Sequence, residues 1–146
     1  MSQALQFYQS AGNEAFSKMV CQMAPFFATI DPMFVELKPG YAEVTFPLRR
    51  EVTNHLGTVH AIAMCNAAEL VAGTMTDVSI PAGSRWIPKG MTVEYLAKAK
   101  SNLRAVADGS QLDFSKPGDI VVPVEVFDQD GQKVFTARIT MNVKVS

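Results

Sequence analysis

Residues Ala61 to Thr74 constrain this chain more than any other stretch. They read Ala-Ile-Ala-Met-Cys-Asn-Ala-Ala-Glu-Leu-Val-Ala-Gly-Thr, rich in alanine and free of proline. That composition suits three to four turns of helix. A surface helix normally shows an apolar stripe and a charged face. This segment is apolar nearly all round, so the expectation is a helix buried on most sides. His60 stands at its start, and Asn66 and Glu69 are the polar side chains inside it before Thr74. A buried carboxylate costs several kcal/mol of desolvation unless it is paired or functional. Glu69 is therefore the residue to explain.

His60 and Glu69 lie nine positions apart. At about 100° per residue they face opposite ways, and roughly 13 Å of helix axis separates them. One helix cannot bring them into a single compact site. Either the two are unrelated, or a second copy of the helix supplies the missing partner and a symmetric dimer carries two sites.

The rest of the chain supplies strands to surround that helix. Residues 3–10 and 13–24 read as helix, with Asn13 as a cap and Pro25 as the stop. Phe16, Met19, Val20 and Met23 share one side of the second piece. Packing against the sheet is the stronger reading for them, lining an acyl pocket the weaker. Residues 25–32 form a turn-rich connection. Strands follow at 33–38 and 41–48, across Pro39-Gly40, which suits the centre of a type II turn. After the central helix, 75–83 reads as loop, then 87–99 and 102–107 as strands. The segments 120–127 and 132–145 form a hairpin across Asp128-Gln129-Asp130-Gly131. Without crossover helices between the later strands, the sheet must be largely antiparallel. One long apolar face on the sheet and a helix apolar all round imply a sheet curled about the helix, an α+β fold.

Length and charge exclude several classes. The 146 residues suit one domain, residues 1–146, with an N-terminal helical extension over about 1–30. A net charge of −1 argues against nucleic acid as a partner. Cys21 and Cys65 have neither zinc-ligand nor disulfide-framework spacing, so no metal is expected, and both fit a reducing cytoplasm. No Lys or Arg precedes Lys18, and no run approaches the ~20 apolar residues needed to span a bilayer. A cytoplasmic protein without a membrane partner is the expectation.

The run Asn54, Gly57, Thr58 and His60, followed by Glu69, resembles the hotdog-fold acyl-CoA thioesterases of the phenylacetate-pathway type. There an Asn-x-x-Gly-x-x-His-Gly-Gly run enters a buried central helix bearing an Asp or Glu nine residues after the His. The resemblance is specific over some twenty residues and leaves the first thirty uncovered. It implies a curved antiparallel sheet wrapped round a long buried helix, with sites between subunits of a homodimer or homotetramer. It also implies a small-molecule acyl-CoA substrate and no cofactor beyond the CoA of that substrate. This chain departs in having Ala61-Ile62 for Gly-Gly and Glu for the commoner Asp. It also shows no clear match to the downstream Ser or Thr of some members.

Thioester hydrolysis needs a base or nucleophile and donors for the carbonyl oxygen. Glu69 is the candidate base or nucleophile, with His60 and Asn54 beside it as catalytic candidates. The first-turn N–H groups of Ala61 and Ile62 are the candidate oxyanion donors. Gly57, Asn66 and Lys89 complete the substrate-binding candidates. Arg49, Arg50, Arg85, Lys98 and Lys100 are further cations for CoA phosphates. Plainer readings stand beside these. Glu69 can be a paired structural acid, His60 a helix cap, and Asn66 a hydrogen-bond support for Glu69. Two other functions remain open. One is an acyl-thioester dehydratase or hydratase on the same fold, disfavoured because no proline occurs between Val52 and Gly73. The other is a non-catalytic acyl-CoA-binding protein.

Overall fold

A computed structural model describes residues 2–145. The chain runs α1 (Gln3–Met23), a 3₁₀ turn (Pro25–Ile30), β1 (Met33–Lys38), β2 (Tyr41–Phe46), a short 3₁₀ turn (Arg50–Val52) and α2 (Ala61–Ser79). Then come β3 (Arg85–Tyr95), β4 (Leu103–Asp108), β5 (Gly118–Phe127) and β6 (Lys133–Lys144). The six strands form one antiparallel sheet in the order β1-β2-β4-β5-β6-β3. It is the hotdog fold: α2 lies against the sheet and touches every strand.

The strand pattern explains why the sheet closes on α2. In β6, Phe135, Ala137, Ile139, Met141 and Val143 are buried, and Val122, Val124 and Val126 of β5 join them. They meet Ala67, Ala68, Leu70, Val71, Ala72 and Met75 of α2. Small alanines let the helix sit close to the sheet, and burying this set is the main drive to fold. Gly40 holds φ 81° between β1 and β2, as the third position of a type II turn requires.

The structure corrects three expectations. The central helix does not stop at Thr74, and 75–83 is not all loop. Met75, Thr76 and Val78 are buried and carry α2 to Ser79. The Thr76 and Ser79 hydroxyls donate to carbonyls four residues back, so these polar side chains cost the helix little. α1 is two helical pieces, as expected, meeting at Gly12, whose φ of 88° and ψ of 178° are not helical; what changes is the role of Asn13. Asn13 is no cap. Its Oδ1 accepts from the Tyr8 hydroxyl, and its Nδ2 donates to the Val35 carbonyl of β1. Finally, the strand expected over 87–99 is Arg85–Tyr95, with Leu96 and Ala97 donating to the Val134 carbonyl beyond it.

Candidate functional site

The entry to α2 is built from one asparagine. Asn54 Oδ1 accepts from the Leu56 and Thr58 backbone N–H groups at 2.9 and 3.2 Å, and its Nδ2 donates to Thr58 Oγ1 at 2.9 Å. Gly57, at φ 79°, completes this tight loop. A Thr53–Val59 bridge and the His60 N–H to Val52 carbonyl bond anchor its base. Asn54 spends its side chain on shaping the loop.

His60 is the N-cap of α2. Its Nδ1 accepts from the Ile62 N–H at 3.1 Å. Two consequences follow. The Ile62 N–H is engaged, which leaves the Ala61 N–H as the first-turn donor without a partner among the described residues. With Nδ1 as acceptor, the neutral ring carries its proton on Nε2, on an exposed side chain.

Glu69 is exposed within the single chain, contrary to the burial its surroundings in the sequence imply. Its part of α2 faces away from the sheet, on a strip with exposed Ile62 and half-buried Cys65. Burial and the nearby Tyr95 hydroxyl act on the Cys65 thiol, burial dominating and pushing it up. Asn66 does not hold the Glu69 carboxylate. Its Nδ2 donates to the Phe26 carbonyl and to Thr29 Oγ1, tying α2 to the 3₁₀ turn, while its buried Oδ1 is unpartnered. Lys89 is paired with Asp119 at 2.9 Å.

The single chain therefore keeps the candidate residues in separate places. Glu69 borders an apolar cavity of about 450 Å³ between α1 and α2. His60, Ile62 and Asn66 line a hollow of about 360 Å³. Asn54, Ala61 and Tyr95 line another of about 320 Å³. Missed by sequence reasoning were Trp86 and Gly73: a Cβ at Gly73 would lie 2.8 Å from the indole, which donates to Asp77 Oδ1 at 2.9 Å. A lone glycine inside an otherwise strong helix was the available signal.

The family described as a domain of unknown function, DUF4442, matches residues 12–143, and the chain belongs to that family. A structural-genomics crystal structure whose name carries no activity is 65% identical. It covers 99% of this chain and 97% of its own, with a TM-score of 0.90. A thioesterase from Haemophilus influenzae is 13% identical over 86% of each chain, with a TM-score of 0.76. A protein of unknown function from Pseudomonas aeruginosa, described as a probable thioesterase, is 21% identical. It covers 88% of this chain and 92% of its own, with a TM-score of 0.77. No curated protein matches the sequence. Among the described residues, no helix is long and apolar enough to cross a membrane.

Proposed function

We propose that the chain hydrolyses acyl-CoA thioesters as a homodimer. Each site would combine Glu69 of one protomer with the helix start at His60 and Ala61 of the other. One observation carries this reading. The bare strip of α2, with the acid and the vacant N–H towards its two ends, belongs to a sheet whose β3 edge is unpaired. Ile87, Met91 and Tyr95 of that strand are 61%, 40% and 55% exposed. An open, apolar edge strand invites pairing with another chain. A two-fold pairing of β3 would cover both strips together and turn the helices antiparallel, so that each acid approaches the other's helix start. The thioesterase names of distant structural neighbours support the same chemistry.

In that arrangement Glu69 acts as general base on water or attacks the carbonyl itself. The Ala61 N–H and the His60 Nε2–H, at the positive end of α2, receive the charge developing on the thioester oxygen. Asn54 and Gly57 are positioning residues that fix where the helix begins. Asn66 fixes α2 against the 3₁₀ turn, and Lys89 stays at the surface as a cation for CoA phosphate.

The test is thiol release from a panel of acyl-CoAs, with enoyl-CoA hydration run in parallel. Glu69→Gln keeps shape and assembly, and turnover should fall by about 10²–10⁴. A folded, fully active Gln variant removes Glu69 from the mechanism. Hydration without hydrolysis makes the protein a lyase. Mixing inactive Glu69→Gln with an inactive Asn54→Ala/His60→Ala double variant should restore about half of the normal rate per heterodimer.

A further inference from the structure

We propose that the cavity between α1 and α2 is the acyl-chain site, and that it takes a straight, neutral alkyl chain of about nine or ten carbons. The assignment of its carbonyl end rests on the thioesterase reading. The cavity itself does not. It is a cleft of about 450 Å³, half open to solvent at Met23 and Glu69. It falls within the range of small-molecule sites.

Its walls say what kind of molecule fits. Met19, Val20 and Met23 of α1 face Leu70 and Val78 of α2, with Trp86 of β3 alongside. Methionine is adaptable in shape, and Met23 remains 78% exposed with nothing packed over it. Among the described residues, the charged side chains lining the cavity are Glu69 and Asp77, with no Lys, Arg or His beside them. Two carboxylates disfavour an anionic ligand such as a free fatty acid or a phosphate entering head first. A neutral thioester tail meets no such penalty. A carboxylate product formed beside Glu69 would in turn be repelled, which favours its release.

The length follows from the helix. Glu69 and Asp77 both border the cavity, eight residues apart, which is about 12 Å along the axis. A zigzag chain with ~1.5 Å bonds advances roughly 1.25 Å per carbon, so about nine or ten carbons cover that distance. A second hollow of about 610 Å³ continues past Asp77 towards Ile80 and shares Met19 and Met23. The region of the chain outside the thioesterase resemblance thus becomes the part that sets chain length.

Trp86 is the single tryptophan of the chain and borders the cavity, so its emission reads occupancy directly. Titration with decan-1-ol should shift that emission saturably, whereas butan-1-ol at equal concentration should not. Val20→Phe enlarges a side chain that lines the cavity. It should weaken decanol binding about tenfold and lower the decanoyl-to-acetyl ratio of thiol release by a similar factor. Met19→Ala enlarges the cavity and should move the preferred chain length upward, which serves if Val20→Phe does not fold. Emission indifferent to decanol, or affinity and chain preference unmoved in both variants, overturns the proposal even when Glu69-dependent hydrolysis is present. Binding of decanol that depends on Val20 in a protein that hydrolyses no acyl-CoA upholds the cavity and overturns the hydrolytic reading alone.

Discussion

The two edges of the sheet are treated in opposite ways. At one edge β1 is six residues long, presents Glu36 and Lys38 outward, and lies under α1. Side chains of α1 take up its free backbone groups: the Phe34 N–H donates to Ser17 Oγ at 2.8 Å, and the Val35 carbonyl accepts from Asn13. At the other edge β3 is eleven residues long, and every residue but Trp86 and Val93 is exposed. Pro88 and a bulge before Gly90 interrupt its first half, but Gly90–Tyr95 runs regularly against β6. Short length, charge and a covering helix are the usual protections of an edge. β1 has all three, whereas β3 is long and uncovered, guarded by Pro88, the bulge and the charges of Arg85, Lys89 and Glu94. The difference says which edge this chain closes upon itself and which it leaves open, the edge that the proposed dimer would use.

The largest expected effect comes from breaking the open edge. Ile87→Lys combined with Met91→Lys changes two side chains already exposed in the single chain, so the fold should survive. Light scattering should report a monomer, and thiol release should fall by about 10² or more as the composite site is lost. An active dimer that persists would move the interface away from β3.

A smaller effect is expected at the closed edge. Ser17→Ala leaves the Phe34 N–H without its acceptor and removes a hydroxyl that also donates to the Asn13 carbonyl. An orphaned buried donor costs about 1–3 kcal/mol, so the melting midpoint should drop by several degrees. Assembly should be unchanged. A Ser17→Ala protein that melts normally would mean that α1 covers β1 without sealing it.

Strand alternation made most of this sheet legible from sequence, because β2, β5 and β6 each bury alternate residues on one face. The end of α2 was not legible, since Met75, Thr76 and Val78 carry a helical pattern that the Gly73-Thr74 pair obscures. Glu69 shows the deeper limit. Its apolar neighbours imply a helix covered on all sides, yet Glu69 is exposed in the single chain, and a sequence does not distinguish cover by the same chain from cover by a copy. Likewise Asn54 and Asn66 stood out as polar residues in apolar company. Which backbone groups they serve depends on a loop and a 3₁₀ turn whose paths no periodicity encodes. The cleft under α1 stood only as the weaker reading for a related reason: methionines at helical spacing look the same whether they fill a core or border an opening.

The smallest expected effect concerns how β3 is held to its own sheet. Besides the ladder to β6, it has a polar strap on the surface: Asp119 of β5 accepts from Asn142 of β6 at 2.8 Å and from Lys89 of β3 at 2.9 Å. The hydrogen bond from Asn142, then that from Lys89, holds the Asp119 carboxyl below its ordinary value of 3.8. A depressed folded-state value means that the ionised group stabilises the fold above about pH 4. That contribution is lost as the pH falls through 3.8 and below. Asp119 is exposed, so water and salt screen the strap and its effect is small. Asp119→Asn should flatten the fall of the melting midpoint between pH 5 and pH 3, and added salt should bring the parent protein towards the variant. If both proteins lose stability with the same slope, the strap contributes nothing. The ladder to β6 then holds the open edge alone.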